Sequence, residues 1–242
     1  SKGELNSKVV RKIEEISKHF KKDISSNFRE IQYRNEYKLG VFQDERSNGV
    51  GISFIYFEKE NRDIDYKGMV KRYISGRLIS WLAFDILREK KHLIYDFSTF
   101  KVYSLTYNSF FYGFKFVTEK EKVRNMLDEL YILLNEDIFK FLKSKKGKER
   151  FDDIISSYIF PLTTIFNDEE AENNATTLLE RGVVINGNIS VKEAKKILLN
   201  DVVEDIKQWL DIPPHIWIES DMPKEDMLNI FKDSNLEKKF KD

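Results

Sequence analysis

Hydrophobic and polar positions alternate along the chain with a period that switches several times between helical and strand-like spacing. Residues 7–20 place their apolar side chains on one helical stripe, whereas residues 28–41 predict an irregular segment or an edge strand. Residues 51–57 (GISFIYF) form a nearly continuous apolar run, which is typical of a strand buried on both faces. Apolar residues then recur at helical spacing from about residue 65 to 91, and this predicts one long helix.

Two strands joined by a polar turn follow this helix. The pattern places them at residues 93–103 and 109–117, so we expect a hairpin. Thr118, with Glu121 three residues later, has the spacing of a capping box and predicts a helix that runs to about Leu134. The second strand places four aromatic residues on one face, and we expect these to be core residues: Phe110, Tyr112, Phe114 and Phe116.

The last part of the chain reads as mainly helical. The basic run at residues 143–150 (KSKKGKER) predicts a solvated connection. Ser190 and Glu193 have the spacing of a second capping box. Beyond the basic run we expect three helices, a short strand and a final helix that opens at Pro223, at residues 151–166, 171–179, 190–210, 216–218 and 223–231.

These elements predict one α+β domain over residues 1–242, with a mixed or antiparallel sheet and helices packed on one face. An N-terminal helix and its lead-in occupy residues 1–49. A strand-helix-strand-strand-helix core occupies residues 50–140. A helical region with a final strand and helix occupies residues 150–242.

Composition excludes several classes of protein. The 242 residues are 41% hydrophobic, which is enough for a core, and the formal net charge is zero, which argues against a nucleic-acid-binding protein. There is no Cys, so disulfides, thiolate metal sites and Cys nucleophiles are absent. No apolar run approaches the roughly 18 residues of a membrane span, and no signal peptide opens the sequence. We therefore expect a soluble, cytoplasmic protein that binds no membrane.

The residues that carry metal or nucleophile chemistry are sparse. The three histidines, His19, His92 and His215, lie far apart, and no pair has the spacing that lets one helix present two imidazoles to an ion. The sequence contains neither Gly-x-Ser-x-Gly nor a Gly-rich phosphate loop. We expect no metal site and no cofactor in this chain.

The segment from Leu87 to Tyr95 (LREKKHLIY) resembles the Leu-Arg-Glu-Lys-x-Gly-Leu-x-Tyr signature of insulinase-like (pitrilysin family) zinc peptidases. His92 stands where the family has Gly, and His takes positive φ less readily. The agreement in pattern extends from about Val50 to Phe231: residues 112–118 are similar to a Gly-containing family strand that ends in Thr, and residues 179–209 to the family's closing helices.

The resemblance implies the C-terminal-type, non-catalytic half of a clamshell peptidase that encloses an extended peptide. In that family the catalytic half carries an inverted His-x-x-Glu-His zinc motif. The other half contributes an Arg and a Tyr, which correspond to Arg88 and Tyr95. The resemblance therefore implies substrate-binding roles for these two residues. It also implies a zinc-bearing partner half, in the same polypeptide or as a separate subunit.

Two alternatives remain open at the level of sequence. The chain could be a peptidase-like structural or partner subunit without activity. It could also be an RNA-binding module, because residues 112–117 (YGFKFV) resemble a strand of the RNA recognition motif. Against the second alternative stand the neutral net charge, the length of the first helix and the large part of the chain that such a module leaves unexplained.

Overall fold

The residues that the structure describes form a five-stranded mixed sheet with the strand order β1-β5-β2-β4-β3. The computed structural model describes residues 37–59, 66–104, 109–164, 187–232 and 234–241, together with Lys12 and Glu15. Strand β1 runs parallel to β5, and the other neighbouring pairs are antiparallel. The strands are β1 (Lys38–Gln43), β2 (Val50–Lys59), β3 (Asp96–Ser104), β4 (Ser109–Thr118) and β5 (His215–Ser220). The predicted α+β class is confirmed.

The helices lie between and after the strands. Helix α1 (Tyr66–Ala83) continues into a π-helix (Phe84–Lys90), so the long helix predicted at residues 65–91 is present. A short 3₁₀ turn (Lys120–Lys122) leads into α2 (Val123–Ile132), a π-helical segment (Leu133–Asp137) and α3 (Ile138–Lys143). The remaining helices are α4 (Lys145–Thr164), α5 (Gly187–Ala194), α6 (Leu199–Leu210), α7 (Lys224–Phe231) and α8 (Asn235–Lys241).

Some predicted elements fall outside this description. Residues 171–179 lie outside the described residues, as does the 7–20 segment apart from Lys12 and Glu15, which are helical. The extent of the domain, residues 1–242, stays a prediction. Among the helices that the structure describes, none is both long enough and apolar enough to cross a membrane.

The core lies between one face of the sheet and the helices. Cross-strand partners on β2 and β4 meet there, with Ile52 opposite Phe116 and Phe54 opposite Phe114. All four are fully buried. Helix α1 packs against α4, α5 and α6 on this side. Burial of so many large aromatic and aliphatic side chains is the main stabilising contribution to the fold.

Strand β2 is buried on one face only, so the prediction of a strand buried on both faces was wrong. Its residues alternate between buried positions, such as Ile52, and partly exposed ones, such as Ser53. Trp217 is the cross-strand partner of Ser53 and is 52% exposed. The apolar run arose because Ile55 and Phe57 on the second face are also hydrophobic, although they are only partly buried.

The basic run at residues 143–150 spans the end of α3 and the start of α4, so it is not a separate connection, although most of its side chains are exposed as predicted. Ser144 is extended and its hydroxyl accepts a hydrogen bond from the Gly147 N–H at 3.0 Å, which caps the helix. Lys146 and Arg150 lie over the ring of Trp81, at 4.9 and 5.2 Å from its centroid. Lys146 is exposed and Arg150 half-buried, so both stay in contact with solvent while they cover an aromatic residue of α1.

The helix predicted at residues 190–210 is two helices. Helix α5 begins before Ser190, which is a buried residue within it and not a cap. The chain leaves the helix after Ala194 and starts α6 at Leu199. The Asp201 carboxylate accepts a hydrogen bond from the Leu198 N–H at 3.0 Å, which supplies the cap for this second start.

Candidate functional site

The end of the long helix is shaped by a change from α-helical to π-helical geometry at Phe84–Lys90. The last turn is therefore wide, with the Lys91 N–H donating to the Ile86 carbonyl at 3.1 Å and the Leu93 N–H to the Leu87 carbonyl at 2.7 Å. Between them His92 has φ 53°, the left-handed conformation that Gly usually supplies after a helix. His92 therefore adopts the backbone geometry that a Gly at this position would favour.

The chain then passes directly to the sheet. The Tyr95 N–H donates to the Val117 carbonyl at 2.8 Å, and the Thr118 hydroxyl donates to the Leu93 carbonyl at 2.6 Å. Thr118 is thus the last residue of β4 and not the cap of a following helix, as the capping-box spacing had predicted. Tyr95 is the last residue before β3, where the sequence had placed it inside the strand.

Arg88 and Tyr95 line one open cleft of about 230 Å³ between the helix end and the start of the hairpin. The Arg88 side chain is 45% exposed, and its guanidinium lies 4.7 Å over the Phe84 ring. Its Nε is 3.7 Å from the carboxylate of neighbouring Glu89, which is too long for a hydrogen bond. The cleft is lined by Arg88, His92, Leu93, Ile94, Tyr95, Glu119 and Lys122.

Tyr95 is held by a carboxylate that also lines the cleft. Its hydroxyl donates to Glu119 Oε1 at 2.8 Å, and Lys122 Nζ donates to the same oxygen at 2.8 Å. The hydrogen bond from Lys122, followed by that from Tyr95, holds the pKa of Glu119 below its ordinary value. The hydrogen bond to Glu119 raises the pKa of Tyr95 above its ordinary value.

Sequence reasoning did not identify Glu119 and Lys122 as members of this cleft. The signal that could have found Glu119 is the hairpin register, which pairs Asp96 with Val117. This pairing brings the residue before β3 close to the residue after β4. Lys122 follows because the 3₁₀ turn at Lys120–Lys122 brings its amine back to Glu119.

The histidines that the structure describes lie apart. His92 is exposed at the cleft, whereas His215 opens β5 with its ring 4.5 Å from that of Phe57. His19 is outside the described residues. Within the described part of the chain, no group of three or more His, Cys, Asp or Glu side chains could hold a metal ion.

The aromatic stripe of β4 belongs to the core. Tyr112, Phe114 and Phe116 are at most 1% exposed, and Phe114 stacks on Phe54 with centroids 4.8 Å apart. The side chain of Phe110 lies outside the described residues. Bases can stack only on accessible aromatic faces, so these three buried residues cannot serve as the platform of an RNA recognition motif.

Comparison with known proteins supports the fold through structure and not through sequence. No protein-family model and no curated protein matches the sequence. The first half of the periplasmic protease PqqL from Escherichia coli matches with a TM-score of 0.62 and 12% identity, over 84% of this chain and 47% of that one.

Two further solved structures match in the same way. A predicted insulinase family protease from Yersinia pestis matches with a TM-score of 0.60 and 11% identity, over 82% of this chain and 45% of that one. A peptidase M16 inactive domain from Pseudomonas fluorescens matches with a TM-score of 0.57 and 13% identity, over 78% and 44%.

The chain thus has the fold found in insulinase-family peptidases. It spans just under half the length of these three structures, and 24% of whole PqqL.

Proposed function

We propose that this chain belongs to the substrate-binding, non-catalytic half of a clamshell zinc peptidase of the insulinase-like family. The observation that carries the proposal is the cleft, which Arg88 and Tyr95 both line, each exposed to solvent, from the two ends of the Leu87–Tyr95 segment. Since the chain spans 47% of the solved first half of PqqL and 44% of the inactive M16 domain, we place it as one unit of such a half.

The two side chains suit contact with a peptide backbone. A guanidinium and a phenol donate hydrogen bonds, and peptide carbonyl oxygens accept them. Arg88 has its guanidinium held over Phe84, so little conformational freedom is lost when it binds. Tyr95 donates to Glu119 in this structure, so its hydroxyl must turn from Glu119 before it can donate to a substrate. Lys122 would then remain as the hydrogen-bond donor to Glu119.

The cleavage of the peptide bond is assigned to the zinc-bearing partner half. The described residues offer no set of side chains that fits zinc, so no metal step is placed in this chain. In the partner half, zinc would polarise the scissile carbonyl. The role of Arg88 and Tyr95 would be to orient the peptide and to donate to the oxygen on which negative charge develops.

A second candidate function is a peptidase-like partner subunit that binds no substrate. The observation in its favour is the Tyr95–Glu119–Lys122 network, in which the hydroxyl of Tyr95 already has an internal acceptor. In that case the network is a surface contact between the helix end and the hairpin.

The test is made on the complex of this chain with its zinc-bearing partner half, using cleavage of a fluorogenic peptide. Arg88→Ala and Tyr95→Phe should each lower kcat/KM about a hundredfold, the usual effect of losing one donor to a developing oxyanion. The melting temperature should stay unchanged, because both side chains are exposed.

Lys90→Ala is the matched control. Lys90 is another cation of the same π-helix, but it is paired with Asp85 and does not line the cleft. It should leave kcat/KM unchanged. Full activity of both the Arg88 and the Tyr95 variants would contradict a substrate role and favour the partner-subunit function.

A further inference from the structure

More positively than negatively charged side chains line the cleft. Arg88 and Lys122 are cationic, whereas Glu119 is the single carboxylate among the lining residues. The oxygen of Glu119 that accepts from Tyr95 also accepts from Lys122. This carboxylate is therefore already matched by two donors, while the guanidinium of Arg88 faces the same space.

The position of the Arg88 guanidinium suits the binding of a planar anion such as a carboxylate. One face of its guanidinium is covered by Phe84, and the only carboxylate contact described for it is the 3.7 Å approach of Glu89, beyond hydrogen-bond range. Stacking on an aromatic ring fixes the plane of a guanidinium and leaves its N–H edge open. An edge of this kind binds a carboxylate through two parallel hydrogen bonds, more strongly than it binds a neutral carbonyl.

Glu119 shows that the cleft already holds one carboxylate, which limits how tightly a second one binds. The Tyr95 hydroxyl and the Lys122 ammonium already donate to it, and an ammonium carries three donors. Lys122 can therefore attract another anion without releasing Glu119. The negative charge of Glu119 opposes that anion, so its removal should strengthen binding.

We propose that the cleft binds a carboxylate group of the peptide, with Arg88 as its main donor and Lys122 as a second positive charge. The carboxylate is that of an Asp or Glu side chain or that of the peptide C-terminus. This inference rests on the proposed function, and it adds a preference that a site for backbone carbonyls alone would not have.

The experiment measures binding of fluorescein-labelled, unstructured peptides to the 242-residue chain by fluorescence anisotropy. Four peptides share one sequence of neutral residues: the first has a central Glu, the second a central Gln, and both end in an amide. The third and fourth have the central Gln and Glu with a free C-terminal carboxylate. Comparison within the set tells a side-chain carboxylate from a terminal one.

At low salt we expect a carboxylate to strengthen binding about tenfold, which is typical of one charge-assisted contact. Arg88→Gln should abolish this preference. Glu119→Gln should raise affinity for the carboxylate peptides several-fold and leave the neutral peptide unchanged. Lys90→Gln is the control and should change neither. The preference should shrink as salt screens the charges.

The outcomes separate this inference from the function on which it rests. Equal binding of all four peptides that weakens equally in Arg88→Gln would overturn the carboxylate preference and leave the substrate role standing. If the unsubstituted chain binds none of the four peptides, although its melting curve and Trp fluorescence show that it is folded, both the carboxylate preference and the substrate role are contradicted. A preference that survives in Arg88→Gln would overturn the assignment to this cleft.

Discussion

Removal of the Asp205 carboxylate should destabilise the protein far more than removal of the carboxylate of Glu204, its neighbour on α6. The Asp205 side chain is 3% exposed and accepts the Ser75 hydroxyl at 2.7 Å. One of its oxygens lies 3.3 Å from Arg72 and 3.7 Å from Lys71. The Arg72 guanidinium in turn lies 5.2 Å over Trp209.

The size of the stability loss follows from the Arg72 charge, which Asp205→Ala leaves without the nearby carboxylate. Arg72, with a side chain only 11% exposed, would lose its nearby negative charge while remaining among aromatic rings. Breaking a buried ion pair from one side costs about 3–5 kcal/mol. In a protein of this size that corresponds to a fall in melting temperature of roughly 6–20 °C.

Urea denaturation followed by Trp fluorescence measures the free energy of unfolding of each variant. Glu204→Ala is the control, because Glu204 is 62% exposed and, among the residues that the structure describes, pairs with Lys207, which is also exposed; its loss should stay within about 0.5 kcal/mol. Adding Arg72→Met to Asp205→Leu should recover part of the loss, since the unpaired charge is then gone. A loss below about 1 kcal/mol for Asp205→Ala, at unchanged m-value, would refute the reasoning.

Three further predictions concern the cleft and the sheet. His92→Gly should keep the free energy of unfolding within about 1 kcal/mol, whereas His92→Val should lose about 1–2 kcal/mol or more in urea denaturation, because β-branched residues resist positive φ. Gly113→Ala should lose about 3 kcal/mol or more in the same assay, since its Cβ would lie 1.8 Å from a β2 carbonyl oxygen. Because the folded-state pKa of Glu119 is lowered, the stability that it contributes is fully present above pH 4.5 and is lost as pH falls through the folded pKa. Lys122→Met should raise that pKa in a carbon-detected NMR titration, and an unchanged value would contradict the hydrogen bond.

The elements that could be predicted from the sequence are those whose cause is local. Helical spacing of apolar residues located α1, and alternating aromatics around a polar turn located the β3–β4 hairpin. Arg88 and Tyr95 could be placed together for the same reason, because one helix end and one turn connect them. Glu119 was missed, although the predicted hairpin already brings the residue after β4 close to the residue before β3.

Other features depend on contacts between distant parts of the chain. The parallel pairing of β1 with β5 joins residues near 40 to residues near 217, and no local pattern indicates which strand a short apolar segment will pair with. Asp205 reads as one more polar residue of an amphipathic helix until α1 places Ser75 and Arg72 beside it. The contact of Lys146 and Arg150 with Trp81 likewise depends on how α4 packs against α1.

The groups that set the shape of the cleft are different from the side chains proposed to bind substrate. Its shape is set by backbone and buried groups: the π-helical turn, the left-handed His92 and the Thr118 hydroxyl on the Leu93 carbonyl. Its donors, Arg88 and Tyr95, are exposed and contribute little to stability. Under the proposed function, substitution of either donor would therefore weaken substrate binding while preserving the fold. The fold of a peptidase half alone cannot show whether it binds substrate, and the two donors, both present here, are the residues on which that question depends.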